Sequence, residues 1–440
     1  MFSRSKALFI ALICVVTIAG PALAQVNTTT GTIAGIVTDN NGGALPGVTV
    51  SVLSTETGLN RSAVTEADGT YSVSLLPPGR YRVDAELAGL GKAAQPNVTV
   101  QLGEATKVDL KISPQLSEQI TVTAATPIVD TQKSGTTASV TNQQIESLPI
   151  LGRDFRSLAA LTPGITLSSF DGTLTANGAR GLSTDFNIDG ANSDNDFFGQ
   201  QTGGTRAPFT FSQAAIKEFQ VIRTQYDAEY GRGVGATVNA ITKSGTNEFD
   251  GELFYYDRSK SWASTRASTL GGLPVTESFR AVNSKQPGFA VGGPLIHDKL
   301  FFFANYDGQR QNVPVIIGTD LRLSPQYLAL TAAQQATVLS RIQAVAGVPY
   351  DAGFNYSQTF NQNTYLAKFD ANIGANNHWS LRDNYLKFTN ANSQGTTVLG
   401  LNQTQEIDKF NQAVVEGDTV FSSNLYNQFI GQLARDQRPV

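Results

Sequence analysis

From Glu248 onward the sequence repeats one pattern: stretches about ten residues long in which apolar and polar side chains alternate, joined in strict turn by a short and then a long connection. The stretches are Phe249–Arg258, Gln286–Leu295, Lys299–Gln309, Asn363–Ile373, His378–Phe388, Ile407–Phe421 and Asn424–Arg435. Alternation with period two gives a strand two unlike faces. In Asn363–Ile373, Tyr365, Ala367, Phe369, Ala371 and Ile373 share one face, while Leu366, Lys368, Asp370 and Asn372 share the other. The short joins lie at His297-Asp298, Gly374–Asn377 and Ser422-Ser423; the long ones are Ser259–Lys285, Gln311–Gln362 and Thr389–Glu406. A soluble sandwich has no reason to alternate its loops in this way. Strands running up and down through a bilayer do, with turns on one side and loops on the other, so residues 248–440 are expected to form part of a transmembrane antiparallel β-barrel.

Composition agrees. Alongside 24 Phe, 13 Tyr and 41 Gly, only 15% of residues are charged, and no apolar run after Gly20 reaches the length of a membrane-spanning helix. The net charge of −4 comes with no basic stripe, which excludes nucleic acid as an expected partner. At the N-terminus Arg4 and Lys6 precede an apolar run, Ala7–Ala19, and an Ala22-Leu23-Ala24 site. This reads as a secretory signal peptide over residues 1–24, since about 13 apolar residues fall well short of a bilayer span. Cys14, the single cysteine, lies inside that run. The mature chain is then left without disulfides, thiolate metal ligands or a Cys nucleophile. His297 and His378 are too far apart for metal-ligand spacing, and neither a G-x-S-x-G elbow nor a phosphate-cradling Gly-rich loop is present. The expectation is a protein with no enzymatic activity and no cofactor or metal.

Residues 27–112 read differently, as short strands at close spacing: Thr32–Thr38, Val48–Leu53, Ser62–Thr65, Thr70–Leu75, Tyr81–Leu87, Asn97–Leu102 and Lys107–Ile112. Turn residues separate them at Asn41-Gly42-Gly43, Asp68-Gly69 and Pro77-Pro78-Gly79. Val48, Val50 and Val52, then Tyr71, Val73 and Leu75, then Tyr81, Val83, Ala85 and Leu87 mark the inward faces of a β-sandwich. The stretch GTIAGIVTDNNGGALPGVTVSV followed by TEADGTYSVSLLPPGRYRV resembles the carboxypeptidase regulatory-like fold, related to transthyretin. That fold is the non-catalytic part of its namesake enzymes, and this segment has no histidine to hold zinc. Its resemblance to carbohydrate-binding sandwiches raises a sugar site with Tyr71 or Tyr81 as platform; the alternation assigns both tyrosines to the core instead.

Between the two β regions, the run AIKEFQVIRTQYDAEYGRGVGATVNAITKSGTNEFDGELFYYDRS, Ala215–Ser259, passes from a Gly-punctuated segment into a strand pattern without a linker. This junction resembles TonB-dependent outer-membrane receptors, in which a short strand (Ile216–Val221), a loop (Tyr226–Gly235) and a turn (Thr242–Gly245) close a plug ahead of the first barrel strand. The run GGPLIHDKLFFFANYDG, from Gly292, is similar to a stretch of large Oar-like receptors that also carry the regulatory-like sandwich. The resemblance implies a small α+β plug over residues 127–247, entered by a helix near Val140–Leu148 with Thr141 as N-cap and Glu146 in the turns that follow. It also implies tight turns built by Gly178, Arg180, Gly181, Asn187, Asp189, Gly190, Gly231 and Gly235. Arg180, Arg223, Arg232, Asp189 and Glu229 are expected to meet a polar lumen wall. Residues 113–126 form a linker in which Gln119, Ile120, Thr121, Val122, Thr123 and Ala124 resemble a TonB box, a β-branched segment able to add a strand to a partner's sheet edge.

The expected class is thus mainly β: a transthyretin-like sandwich, an α+β plug, then the first strands of a barrel. The resemblance implies an outer-membrane import receptor with its N-terminal domain in the periplasm. Its partners would be TonB, outer-membrane lipid and a small-molecule, oligosaccharide or peptide substrate that no residue pattern identifies. An adhesin or carbohydrate-binding surface protein anchored by the barrel is the alternative from another class. An odd count of strands and a final Val440 in place of a terminal aromatic lead to the expectation that the barrel is incomplete in this sequence.

Overall fold

The computed structural model describes residues 29–113, 136–148, 150, 153–168, 173–179, 181–194, 209–224, 235–262, 268–270, 273–275, 283–316, 325–346, 355–391, 405–422 and 425–437. The signal-peptide segment, Gln119–Ala124, Arg180, Glu229, Gly231 and Arg232 lie outside these residues.

The sandwich consists of two four-stranded sheets. One orders Thr70–Leu76, Gly31–Thr38 and Ala105–Lys107, with Leu110–Lys111 also paired to Gly31–Thr38; the other orders Asn60–Val64, Thr49–Ser54, Gly79–Leu87 and Gly91–Val100. The inward residues expected from alternation fill the core, and Val50, Val52, Val83 and Leu76 are fully buried. Tyr71 and Tyr81 are buried too, and their hydroxyls donate to the carbonyls of Val108 at 2.7 Å and Pro77 at 2.6 Å, so neither is a sugar platform. The strand expected at Lys107–Ile112 is split. Val108 donates its N–H to Ala34 O, and the Asp109 carboxylate then takes the Ile36 N–H, which removes one rung of the ladder. The strand expected at Asn97–Leu102 starts earlier, at Gly91, and absorbs Pro96 where the register shifts beside Asn97 at φ 57°.

The middle of the chain folds around a five-stranded mixed sheet, ordered Ala191–Asn192, Thr184–Ile188, Ala236–Thr242, Ile216–Thr224 and Thr136–Val140. Helices Asn142–Ser147 and Arg156–Ala159 cover it. The first begins at Thr141, as expected; its capping box is completed by Gln144, while Glu146 faces Lys243 at 2.9 Å. Phe155 is the aromatic hub of this core, with its ring centroid 5.6 Å from those of both Phe186 and Phe219.

Seven antiparallel strands form a curved wall around this inner domain, in sequence order: Asp250–Arg258, Asn283–Ile296, Leu300–Ile316, Asn355–Ile373, Asn377–Ala391, Gln405–Ser422 and Leu425–Gln437. Their faces follow the expected phase: Tyr365, Ala367 and Phe369 point outward, whereas Leu366, Lys368 and Asp370 are buried inward. Outward aromatics form a ladder from Phe289 through Tyr306 and Tyr365 to Tyr385, with successive centroids 6.1, 5.0 and 6.3 Å apart. Nearer the short turns, Phe249 with Phe302 and Trp379 with Phe429 form a second outward belt. Such belts mark the two interfaces of a bilayer. Several strands are longer than the expected ten residues, up to 19 in Asn355–Ile373. Their pairing continues beyond the apolar band, where outward positions become Thr359 and Asn361 and no longer alternate in hydropathy. The long connections also contain structure: a small hairpin, Ser268–Leu270 with Leu273–Val275, and the helices Pro325–Leu328 and Ala332–Ala346. Among the described residues no helix is long and apolar enough to cross a membrane.

Candidate functional site

The seam between inner domain and wall is where buried charge collects. Asp189 and Gly190 form the two-residue turn between Thr184–Ile188 and Ala191–Asn192, both with positive φ, 49° and 68°. A Cβ at Gly190 would sit 2.5 Å from Ile430 Cδ1 on the wall and 3.1 Å from Thr29 Cγ2, so only glycine lets the turn approach so closely. The turn aims the Asp189 carboxylate at the wall. There Arg382 Nε lies 2.7 Å away and Lys368 Nζ 3.7 Å away, while Thr242 donates its N–H at 2.8 Å and its hydroxyl at 2.9 Å. Burial opposes ionisation of Asp189, but Lys368, Arg382 and the Thr242 hydrogen bonds outweigh it and hold the carboxyl below its usual range. Lys368 and Arg382 stand directly opposite each other on paired strands. Like charges in that position repel, and the inner domain's carboxylate between them removes the penalty.

A second anchor has the opposite polarity. Arg153 of the inner domain lies 3.6 Å from Asp307 of the wall and stacks 4.1 Å above the Phe254 ring, while Ser212 donates to the same carboxylate at 2.7 Å. Wall amides complete the seam by reaching for backbone carbonyls of the inner domain: Gln362 to Phe209 O at 2.7 Å, Asn384 to Thr210 O at 3.3 Å and Gln412 to Asn192 O at 2.8 Å. Carbon is buried there as well: Ala290, Phe303 and Leu366 extend the inner core into the wall, and Phe301, Phe388, Phe410 and Val414 are buried on the inward faces of the wall strands.

The expected turn residues are thus placed unequally. Asp189 and Gly190 lie at the seam, whereas Asn187 hydrogen-bonds Asp185 at 2.7 Å inside the inner domain. Gly178 forms a turn at φ 78° with open space around it, and Gly181 and Gly235 pack against Thr173 and Ala179. Among the described residues Arg223 donates to Pro163 O at 2.6 Å, the carbonyl that the Gly164 turn presents to it, within the inner domain. Arg153, Asp307 and Arg382 were not picked out by sequence pattern as site residues. The available signal was a charged residue at an inward position of a wall strand, which Asp307 and Arg382 both satisfy.

The sandwich touches both other parts. Inner-domain Lys217 donates to Pro78 O, the Glu218 carboxylate accepts the Leu102 N–H, and Ser139 donates to Glu104 at 3.1 Å. Burial, only partly offset by the Leu102 N–H and Lys217, raises the Glu218 pKa to about 7, with Glu104 adding to the rise. A cavity of about 1690 Å³ runs between the sandwich, the inner domain and the strand Asp250–Arg258. It borders a sheet edge that has no strand partner among the described residues, and such an edge calls for another strand before a ligand. Among the described residues no group of three His, Cys, Asp or Glu is placed to hold a metal ion.

Residues 32–113 match the family model of the carboxypeptidase regulatory-like domain, and residues 241–319 that of an outer membrane beta barrel domain. The TonB-dependent transporter Oar of Myxococcus xanthus is 27% identical over 273 residues, 59% of this chain and 25% of its own length. A probable TonB-dependent siderophore receptor, PirA of Acinetobacter baumannii, is 27% identical over 188 residues, 38% of this chain and 22% of its own. The chain therefore spans about a quarter of the length of the curated relatives it matches. Among solved structures, the outer membrane transporter YddB from Escherichia coli aligns with a TM-score of 0.46 at 13% identity, covering 65% of this chain and 37% of that one.

Proposed function

Since the chain is homologous to TonB-dependent outer-membrane receptors and carries an outer-membrane β-barrel domain, we propose that it serves energy-dependent import, with the inner domain as a movable plug in the wall. Substrate held on the outer side of the plug makes Gln119–Ala124 available to TonB, and the pull delivered there loosens the plug. The observation that carries this reading is the chemistry of the seam. Asp189, Arg153 and the wall amides face partners that water can replace once the two surfaces part, whereas an apolar seam would have to expose carbon. No covalent step is involved. The substrate is a small molecule, oligosaccharide or peptide.

The test uses the complete receptor in cells and a panel of labelled ferric siderophore, cobalamin, oligosaccharide and peptide. Uptake of one panel member is expected to stop with a protonophore, and to stop equally in Ile120→Pro and Val122→Pro, which remove a backbone donor from the coupling segment while leaving surface binding intact. Uptake that ignores both the protonophore and the proline substitutions overturns the reading.

A further inference from the structure

The sandwich spans the mouth of the wall on the side of the short turns. Its turn at Thr57 and Gly58 presses on the first short turn and the fourth strand: a Cβ at Gly58 would lie 3.0 Å from Asp298 Cβ, and Asn372 Nδ2 donates to Thr57 O at 3.0 Å. At the other end of the described wall, Thr29, just ahead of the first sandwich strand, donates to Glu416 and accepts from Gln428 at 2.8 Å. Between these points Glu56 O accepts the Asn247 N–H at 2.8 Å where the inner domain passes into the wall, and Lys217 and Glu218 are covered as described above. The three bodies enclose a small cavity of about 80 Å³ whose lining includes Asp189, Lys368, Asp370 and Glu416. The hydrogen bonds named across this junction are of the kind that water can take over.

We infer that the sandwich is a stopper: docked, it closes the periplasmic mouth beneath the plug, and it must leave before the plug can move. The inference rests on the transport reading above and adds an order of events. The candidate coupling segment starts 119 − 113 = 6 residues after the last sandwich residue and ends 136 − 124 = 12 residues before the first described strand of the inner domain. Along the chain the sandwich is the folded body nearer to a pull on Gln119–Ala124, and its contacts hold it against both wall and inner domain. That position makes the accessory domain the first resistance that TonB meets.

The test is force spectroscopy on the complete receptor in supported membranes, with the purified periplasmic domain of TonB on the probe and other cysteines absent. An early, short rupture is expected before any extension of the inner domain. In Gly58→Cys with Asp298→Cys, oxidation is expected to remove that first step from all but about a tenth of traces, and reduction to restore it. Should that pair fail to oxidise, Thr57→Cys with Asn372→Cys carries the same expectation, and the reduced forms control for folding. An unchanged first step in a quantitatively cross-linked receptor overturns the stopper while leaving the transport reading intact. If TonB does not adhere to the unmodified receptor, it is the transport reading that fails.

Discussion

Two interiors of this molecule are made of unlike material. The sandwich closes on carbon: Val50, Val52, Val83 and Leu76 meet with no exposure, and its charged pairs, such as Lys92 with Glu86, stay on the surface. The seam between inner domain and wall mixes carbon with charge and amide: Asp189, Lys368 and Arg382 are buried together there, beside apolar residues such as Phe303 and Leu366. Carbon contacts lose free energy steadily as they are exposed to water, so a core made of them opens only by unfolding. A seam of polar groups can part while both sides remain folded, because water replaces each lost partner. The comparison teaches that the two interiors differ in how they can open, the sandwich only by unfolding and the seam by exchange of partners with water.

If so, the seam is vulnerable to the loss of one partner. Arg382→Ala leaves Asp189 buried with half its compensation, an imbalance that costs about 3–5 kcal/mol. Hydrogen exchange in the Ala236–Thr242 strand of the complete receptor is expected to speed up accordingly, while exchange in the sandwich stays unchanged. The double replacement Asp189→Asn with Arg382→Gln should cost less than Arg382→Ala alone, because one charge of each sign is removed and Lys368 keeps Asp370 at 4.0 Å. Equal or larger damage from the double variant would show that the pair is not acting as a pair.

The sandwich should respond to carbon in the same way. Leu76→Ala removes a fully buried side chain and leaves a cavity, at a cost of about 2–5 kcal/mol. Thermal unfolding followed by exchange in Thr49–Ser54 should register that loss, with the seam undisturbed. Transmission of the damage to Thr242 would mean that the two interiors are one cooperative unit.

How much of this was legible beforehand differs between the two regions for the same reason. The sandwich core could be read from Val48, Val50 and Val52 because alternation within one strand already states which face is buried. The phase of Asn363–Ile373, and with it the inward direction of Lys368, was equally local. That Lys368 faces Arg382 depends on strand register, and that both await Asp189 depends on how a distant turn is seated; neither is written in any single segment. The strand ends are not legible in the sequence where outward Thr359 and Asn361 rise above the apolar band, since backbone pairing there leaves no hydropathic trace.

The junction of sandwich and inner domain lies between these extremes and should be sensitive to pH. Glu218, faced by Lys217 and by Glu104 and the Leu102 N–H of the sandwich, has its pKa raised from 4.5 to about 7. A carboxyl raised in the docked state favours docking while it is protonated. Its contribution is thus complete below about 4.5 and is lost as pH rises through about 7. Divided by the rate of a free cysteine at the same pH, which removes the thiol's own ionisation, the N-ethylmaleimide rate of Pro78→Cys, at the carbonyl that Lys217 grips, should rise about tenfold between about pH 6 and about pH 8. Glu218→Gln should flatten that dependence. A tenfold change that persists in Glu218→Gln would move the titrating group elsewhere.

The smallest expected effect separates charge from burial as the cause of the contrast. Lys92 and Glu86 on the sandwich are 3.0 Å apart, close to the 2.7 Å of Arg382 and Asp189, yet their side chains are 74% and 58% exposed against 1% and 4% at the seam. In water the attraction is screened, and neither partner is stranded when the other is removed. Lys92→Ala should therefore shift sandwich unfolding by less than about 0.5 kcal/mol, within the error of a thermal melt. A loss of several kcal/mol at Lys92 would make ion pairing itself the source of strength. Burial would then no longer distinguish the seam, and the contrast between the two interiors would have to rest on their apolar contacts alone.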